Sequence, residues 1–176
     1  MEQAVVSFGS QRPWIIGESD MRVYLVQHGL AKDKSEDAER PLSDQGREDV
    51  TRCAGFLSLF EKPKPSKILH SGKLRAEQTA EMFAEAWGDI AVERTLDLAP
   101  NDDPSVWSAH LASMSDDVML VGHLPHIQRL AGLLICGDPD REAVHFRNGG
   151  VVCLEKRETG WCVLWHINPT LFYGDK

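Results

Sequence analysis

Two short apolar runs that each end in a histidine beside a glycine constrain this chain more than any other feature. Val23-Tyr24-Leu25-Val26 stops at Gln27-His28-Gly29, and residues 118–121 stop at Gly122-His123. A short run of apolar residues without polar alternation reads as a strand buried on both faces, as in a parallel sheet. Residues 67–70 form a third such strand. Helical patterns lie between them. Ser43 begins one, in which Val50, Cys53, Ala54, Leu57 and Phe60 recur on one face until Pro63 and Pro65 stop it. Ser71 reads as the cap of a second helix, with Ala76, Thr79, Ala80, Phe83 and Trp87 on one face. Residues 105–114 read as a third. Pro125 opens a fourth, with Ile127, Leu130, Ala131 and Leu134 inward and Gly137 at its end. Residues 90–93 suggest a small strand. Residues 150–155 and 161–167 alternate around Arg157-Glu158-Thr159-Gly160, the pattern of a β-hairpin.

Strands alternating with helices predict an α/β protein, a three-layer α/β/α sandwich around a mainly parallel sheet. Residues 1–20, broken by Pro13 and Gly17, read as an N-terminal extension, and residues 21–176 as one domain. With 176 residues, 42% of them hydrophobic, the chain can bury a core of its own. No stretch reaches the roughly 18 apolar residues of a membrane span. The first residues lack the basic start and apolar core of a secretory signal, so a cytoplasmic location is expected. The cysteines at 53, 136, 153 and 162 are too far apart for a CxxC pair and read as buried thiols in a reducing compartment. A disulfide between Cys153 and Cys162 across the hairpin is the alternative.

In sheets of this kind ligands bind beyond the carboxyl ends of the strands. That rule selects the residues after Val26, Leu69 and Val121. If the first and last of these strands are neighbours, the imidazoles of His28 and His123 meet in one crevice. With 19 basic and 27 acidic residues, the net charge of −8 disfavours a broad nucleic-acid face. An anion site must then be a local concentration of cations. Arg75 and Lys73 stand at the start of a helix, where cations oppose the macrodipole and only Glu77 is near enough to compensate. A bound anion removes that conflict. Arg40 offers a further fork of donors. Two histidines, two arginines and two helix N-termini describe a phosphate site. No Walker loop or GxGxxG fingerprint points to a nucleotide cofactor.

Taken in order, four blocks resemble the histidine phosphatase superfamily: Gln27-His28-Gly29 after a strand; Arg40-Pro41-Leu42-Ser43 with Gly46; Ser71-Gly72-Lys73-Leu74-Arg75-Ala76-Glu77-Gln78-Thr79; and Gly122-His123-Leu124-Pro125. The small size and the Leu-Arg-Ala-Glu-Gln-Thr string are most similar to its SixA-type phosphohistidine phosphatases. The resemblance runs from about Met21 to about Asn168. It implies a phosphoglycerate mutase-like fold and phosphoryl transfer in two steps. His28 is then the nucleophile, with Arg75 and His123 in the catalytic set and Gln27, Arg40, Arg75 and His123 around the phosphate. The implied substrate is phosphohistidine on a protein, with release of phosphate ion, and no metal or organic cofactor is implied.

One position departs from the family pattern. Its motif begins Arg-His-Gly, and here Gln27 supplies a neutral amide where the arginine would present a charged fork. Loss of one charge-assisted contact costs roughly 1.5–3 kcal/mol, or about one to two powers of ten in rate. Lys32 or Lys73 could restore part of the charge. Beside a phosphohistidine phosphatase this leaves two alternatives: a weakened enzyme or inactive domain that binds phospho-ligands, and a small-molecule phosphomonoesterase. Short spacers between the motifs leave an open cleft, which suits a phosphorylated side chain. Asp97, Asp102 and Asp103 occupy the loop in which a proton donor is sought, and no one of them is assigned. His70, His110, His145 and His166 read as structural. His126 lacks a third partner for a metal site. Arg141 and Arg147 read equally as surface residues or as neighbours of the pocket.

Overall fold

The computed structural model describes residues 21–173; the expected N-terminal extension, residues 1–20, lies outside the described residues. Six strands form one sheet in the order β3-β2-β4-β1-β5-β6. They are β1 (Arg22–Gln27), β2 (Lys67–His70), β3 (Val92–Arg94), β4 (Val118–Gly122), β5 (Val151–Arg157) and β6 (Gly160–Ile167). The first four run parallel, and the β5–β6 hairpin joins antiparallel through β5 against β1. The expected mainly parallel sandwich is therefore present, with the hairpin closing one side.

Alternation along β1 divides the core between two layers. Val23 and Leu25 pack with Leu120, Trp107, Leu111, Ile127 and Leu130 beneath α3 (Pro104–Ser113) and α4 (His126–Cys136). Tyr24 and Val26 pack with Val50, Leu57, Ala80 and Phe83 beneath α1 (Asp44–Phe60) and α2 (Leu74–Trp87). β1 and β4 have no charged side chain between their ends, and the Tyr24 hydroxyl is the one polar group there, because both of their faces are covered by helices.

Local signals set most helix boundaries. Ser43 caps α1, its side chain accepting the Gly46 N–H at 3.0 Å. Gly137 ends α4 in the left-handed conformation. Pro125 stands at the N-cap of α4, one place before the first-turn position that its missing N–H favours. Ser71 does not cap α2: Lys73 holds that position, without a side-chain cap. The reason is the intervening Gly72, whose φ of 81° turns the chain and gives the Ser71 hydroxyl another partner. The hairpin also decides the cysteines. Cys153 pairs with Trp165 and Cys162 with Glu155, and all four thiols are free.

Candidate active site

Parallel pairing of β1 with β4 places Gln27 opposite Gly122, and the backbone N–H of His28 donates to Gly122 O at 3.1 Å. The two histidine-bearing strand ends are thereby joined, as the sequence requires if they share a crevice. The His28 and His123 ring centres are 4.7 Å apart.

The segment around His28 is pinned from several directions. Asn148 Nδ2 donates to His28 O at 2.9 Å, and Gly149 N–H donates to Gln27 O at 2.9 Å. Gly29 N–H donates to Thr79 Oγ1 at 3.0 Å, and the Thr79 hydroxyl donates to Arg75 O at 2.6 Å. Thr79 thus ties the loop after β1 to the first turns of α2. A Cβ on Gly29 would lie 2.9 Å from Val50 Cγ2 and 3.0 Å from Gly46 O, so α1 packs this closely only against glycine.

The His28 ring has an assigned tautomer. Nδ1 lies 2.7 Å from Gly29 O, an acceptor only, so Nδ1 carries the proton. Nε2 is left with its lone pair, which accepts Arg75 Nε–H at 3.1 Å. Burial pushes the His28 pKa down to about 4; Arg75 and Arg40 act in the same direction, against the Gly29 hydrogen bond. His28 is consequently a neutral imidazole near pH 7, with its free electron pair facing a guanidinium.

His123 is 2% exposed. Its Nε2 lies 2.6 Å from Ser71 Oγ, and its Nδ1 has no hydrogen-bond partner. Burial pushes its pKa down to about 3, followed by His28, Arg75, Lys73 and His126. Arg75 is itself lowered, by burial and then by the like charge of Arg40. That repulsion is what a cluster awaiting an anion displays.

Arg40 sits at a φ of 52°, with Nε donating to Lys32 O at 3.3 Å. Beside Arg75 it borders a cavity of ≈ 360 Å³ that also takes in Lys34 and Lys73, with Glu39 the one acid of the lining. Four cations around one opening stand out against a chain of net charge −8. A larger cavity, ≈ 560 Å³, lies along β2, β3 and α3 between Lys67 and Met114; neither cavity is lined by His28 or His123, but the smaller one is bordered by Arg75, whose Nε donates to His28 Nε2. The chemistry belongs to the smaller one.

His28, Arg75 and His123 are therefore brought together, with Arg40 at their side. Gln27 ends β1 on the face shared with Val23 and Leu25, and its Oε1 is buried without a partner. Asp102 accepts the Ala99 N–H and Asp103 caps α3, so both are engaged locally. His70 accepts the Gly72 N–H at 3.3 Å, in keeping with a structural part. Arg141 and Arg147 are exposed. Among the described residues no cluster of three or more metal-ligating side chains occurs. No helix among them is long and apolar enough to cross a membrane. Sequence reading missed Thr79 and Asn148, whose contacts span 50 and 120 positions, and mistook Ser71 for a cap.

Residues 23–99 match the pattern of the histidine phosphatase superfamily, branch 1. Among solved structures, the protein histidine phosphatase SixA complexed with tungstate superposes with a TM-score of 0.76 at 26% identity, covering 86% of this chain and 99% of that one. A candidate SixA phosphohistidine phosphatase from Agrobacterium tumefaciens shares the fold, with a TM-score of 0.67 and 24% identity over 85% of this chain and 99% of its own. An uncharacterised protein of Picosynechococcus is 29% identical over 141 residues, which is 76% of this chain and 84% of that protein.

Proposed function

We propose that the chain, whose residues 23–99 match the histidine phosphatase superfamily, removes phosphate from phosphohistidine on a protein, with His28 as the nucleophile. One observation carries this reading: the His28 Nδ1–H bond to Gly29 O leaves an unprotonated Nε2 among cations. The similar SixA structure is complexed with tungstate, a tetrahedral oxyanion like phosphate, which supports an oxyanion as the ligand here.

The arriving phosphoryl group takes Arg75 away from His28 Nε2 and into contact with its own oxygens. Arg40 and His123 share that charge, and the uncapped N–H groups at the start of α2 face the same opening. The Nε2 lone pair then forms a bond to phosphorus as the bond to the substrate nitrogen breaks. The departing imidazole keeps the electron pair and takes up a proton. Water attacks phosphorus in the second step, breaks the P–Nε2 bond and releases phosphate, and neutral His28 returns. Phosphorus bonded to a good leaving group requires positioning and charge compensation more than covalent help. Gln27 belongs to this cradle as the neutral counterpart of an arginine.

The test is phosphate release from a phosphohistidine-bearing protein, with His28→Ala as control. Turnover that survives in that variant excludes His28 as nucleophile. Gln27 favours a second reading, in which the pocket holds phospho-ligands without turning them over. Vanadate or phosphate binding without hydrolysis selects it.

A further inference from the structure

The hydroxyl of Ser71 has been withdrawn from the task its position suggests. A serine shortly before a helix ordinarily satisfies the free N–H groups of the first turn. Here Lys73 occupies the N-cap of α2, no side chain caps it, and Gly72 turns the chain between them with a φ of 81°. The Ser71 hydroxyl lies instead 2.6 Å from His123 Nε2. Ser71 directly follows β2 and His123 directly follows β4, and these strands are parallel neighbours, with His70 opposite Val121. The sheet itself therefore sets the spacing of the pair.

His123 has little else to orient it. Its Nδ1 makes no hydrogen bond, and its ring rests at 58° to that of His28. A neutral imidazole held by one polar contact takes its ring orientation from that contact, and a hydroxyl serves either tautomer, since it can donate or accept. We propose that Ser71 is a positioning residue for His123: its hydroxyl fixes the ring plane of His123 beside His28, while the α2 N-terminus stays uncapped for an anion. Arrangement at this site thus uses a residue that never needs to touch phosphorus. The effect on turnover rests on the phosphatase reading above; the effect on the His123 ring does not.

Two measurements on the full chain separate these. In NMR of the imidazoles, the wild-type His123 ring protons show one fixed set of cross-relaxation contacts with the His28 ring, and Ser71→Ala weakens or redistributes them. Ser71→Thr, which keeps a hydroxyl, restores the wild-type pattern. With a phosphohistidine peptide as substrate, Ser71→Ala lowers kcat by roughly 10–100-fold with little change in KM, the signature of a group misplaced by a fraction of an ångström, and Ser71→Thr recovers it. If Ser71→Ala does not fold, Ser71→Cys, with a thiol that bonds weakly, carries the same comparison. An unaltered His123 ring orientation in a folded Ser71→Ala or Ser71→Cys overturns the proposal, whatever the activity. An altered orientation with unchanged kcat upholds the positioning and removes His123 from the phosphatase mechanism.

Discussion

The ends of β1 and β4 carry the same residue pair, a histidine beside a glycine, yet they are built differently. At the end of β1 both ring nitrogens of His28 are engaged and the backbone is held by Asn148, Gly149, Gly122 and Thr79. At the end of β4 His123 is the more deeply buried, but one hydroxyl is its polar anchor and Nδ1 is unpaired. The nucleophile proposed at His28 has to present one lone pair along one line, and its surroundings secure it on every side. His123, proposed to answer charge arriving on another molecule, is held more loosely, with hydrogen-bonding capacity to spare. Burial alone does not measure how firmly a side chain is fixed.

The contrast can be broken first at His28. His28→Ala is expected to reduce phosphate release at least about 10³-fold, because it removes the nitrogen proposed to bond to phosphorus. Arg75→Ala follows, with a loss of about 10²–10³-fold in kcat for one removed charge-stabilising donor. Its dependence on substrate concentration shows whether binding or chemistry suffers more. Gln27→Arg works in the opposite direction. Restoring a charged fork is expected to raise kcat/KM roughly 10–100-fold, and an unaffected rate places position 27 outside the phosphate cradle.

Acid sharpens the comparison. Both imidazoles are depressed from about 6.5, His28 to about 4 and His123 to about 3. The unfolded chain takes up protons on these residues before the folded one does. Their contribution to stability is therefore complete above pH 6.5 and is lost as pH falls through the folded values. His70, His126 and His166, also lowered by burial, act in the same sense. Urea unfolding at pH 7.5, 5.5 and 4.5 should give falling midpoints, and NMR should find His28 still neutral at pH 5. A His28 titration centred near 6.5 would falsify the buried neutral nucleophile. The smallest effect expected is on stability at the hinge between loop and helix. Thr79→Val leaves the buried Gly29 N–H without a partner and costs about 1–3 kcal/mol, read as a lower thermal midpoint.

Much of the molecule is legible before folding because the cues are local. Apolar runs that lack alternation mark β1, β2 and β4. Ser43 and Gly137 mark ends of α1 and α4. The strand that residues 90–93 suggest lies at Val92–Arg94, a shift that short strands tolerate because a few residues carry little pattern. His28, Arg40, Arg75 and His123 were recognisable as a set since each occupies a strand end, a helix start or the loop between them. Ser71 was misread because its local cue, a serine before a helix, is genuine and is overridden by Gly72 and by a partner 52 residues away. Thr79 sits on the apolar face of α2, so periodicity counts it as core and is silent on its two polar partners.

Composition and periodicity were enough to dictate the layers, the parallel sheet and which residues crowd its carboxyl edge, since these follow from short-range preferences and from burying apolar faces. Tertiary structure alone decided that β1 and β4 are neighbours, which nitrogen of His28 bears the proton, and that a serine serves a histidine rather than a helix. Each of those depends on atoms a few ångströms apart in space and tens of residues apart along the chain, a relation that no local pattern encodes.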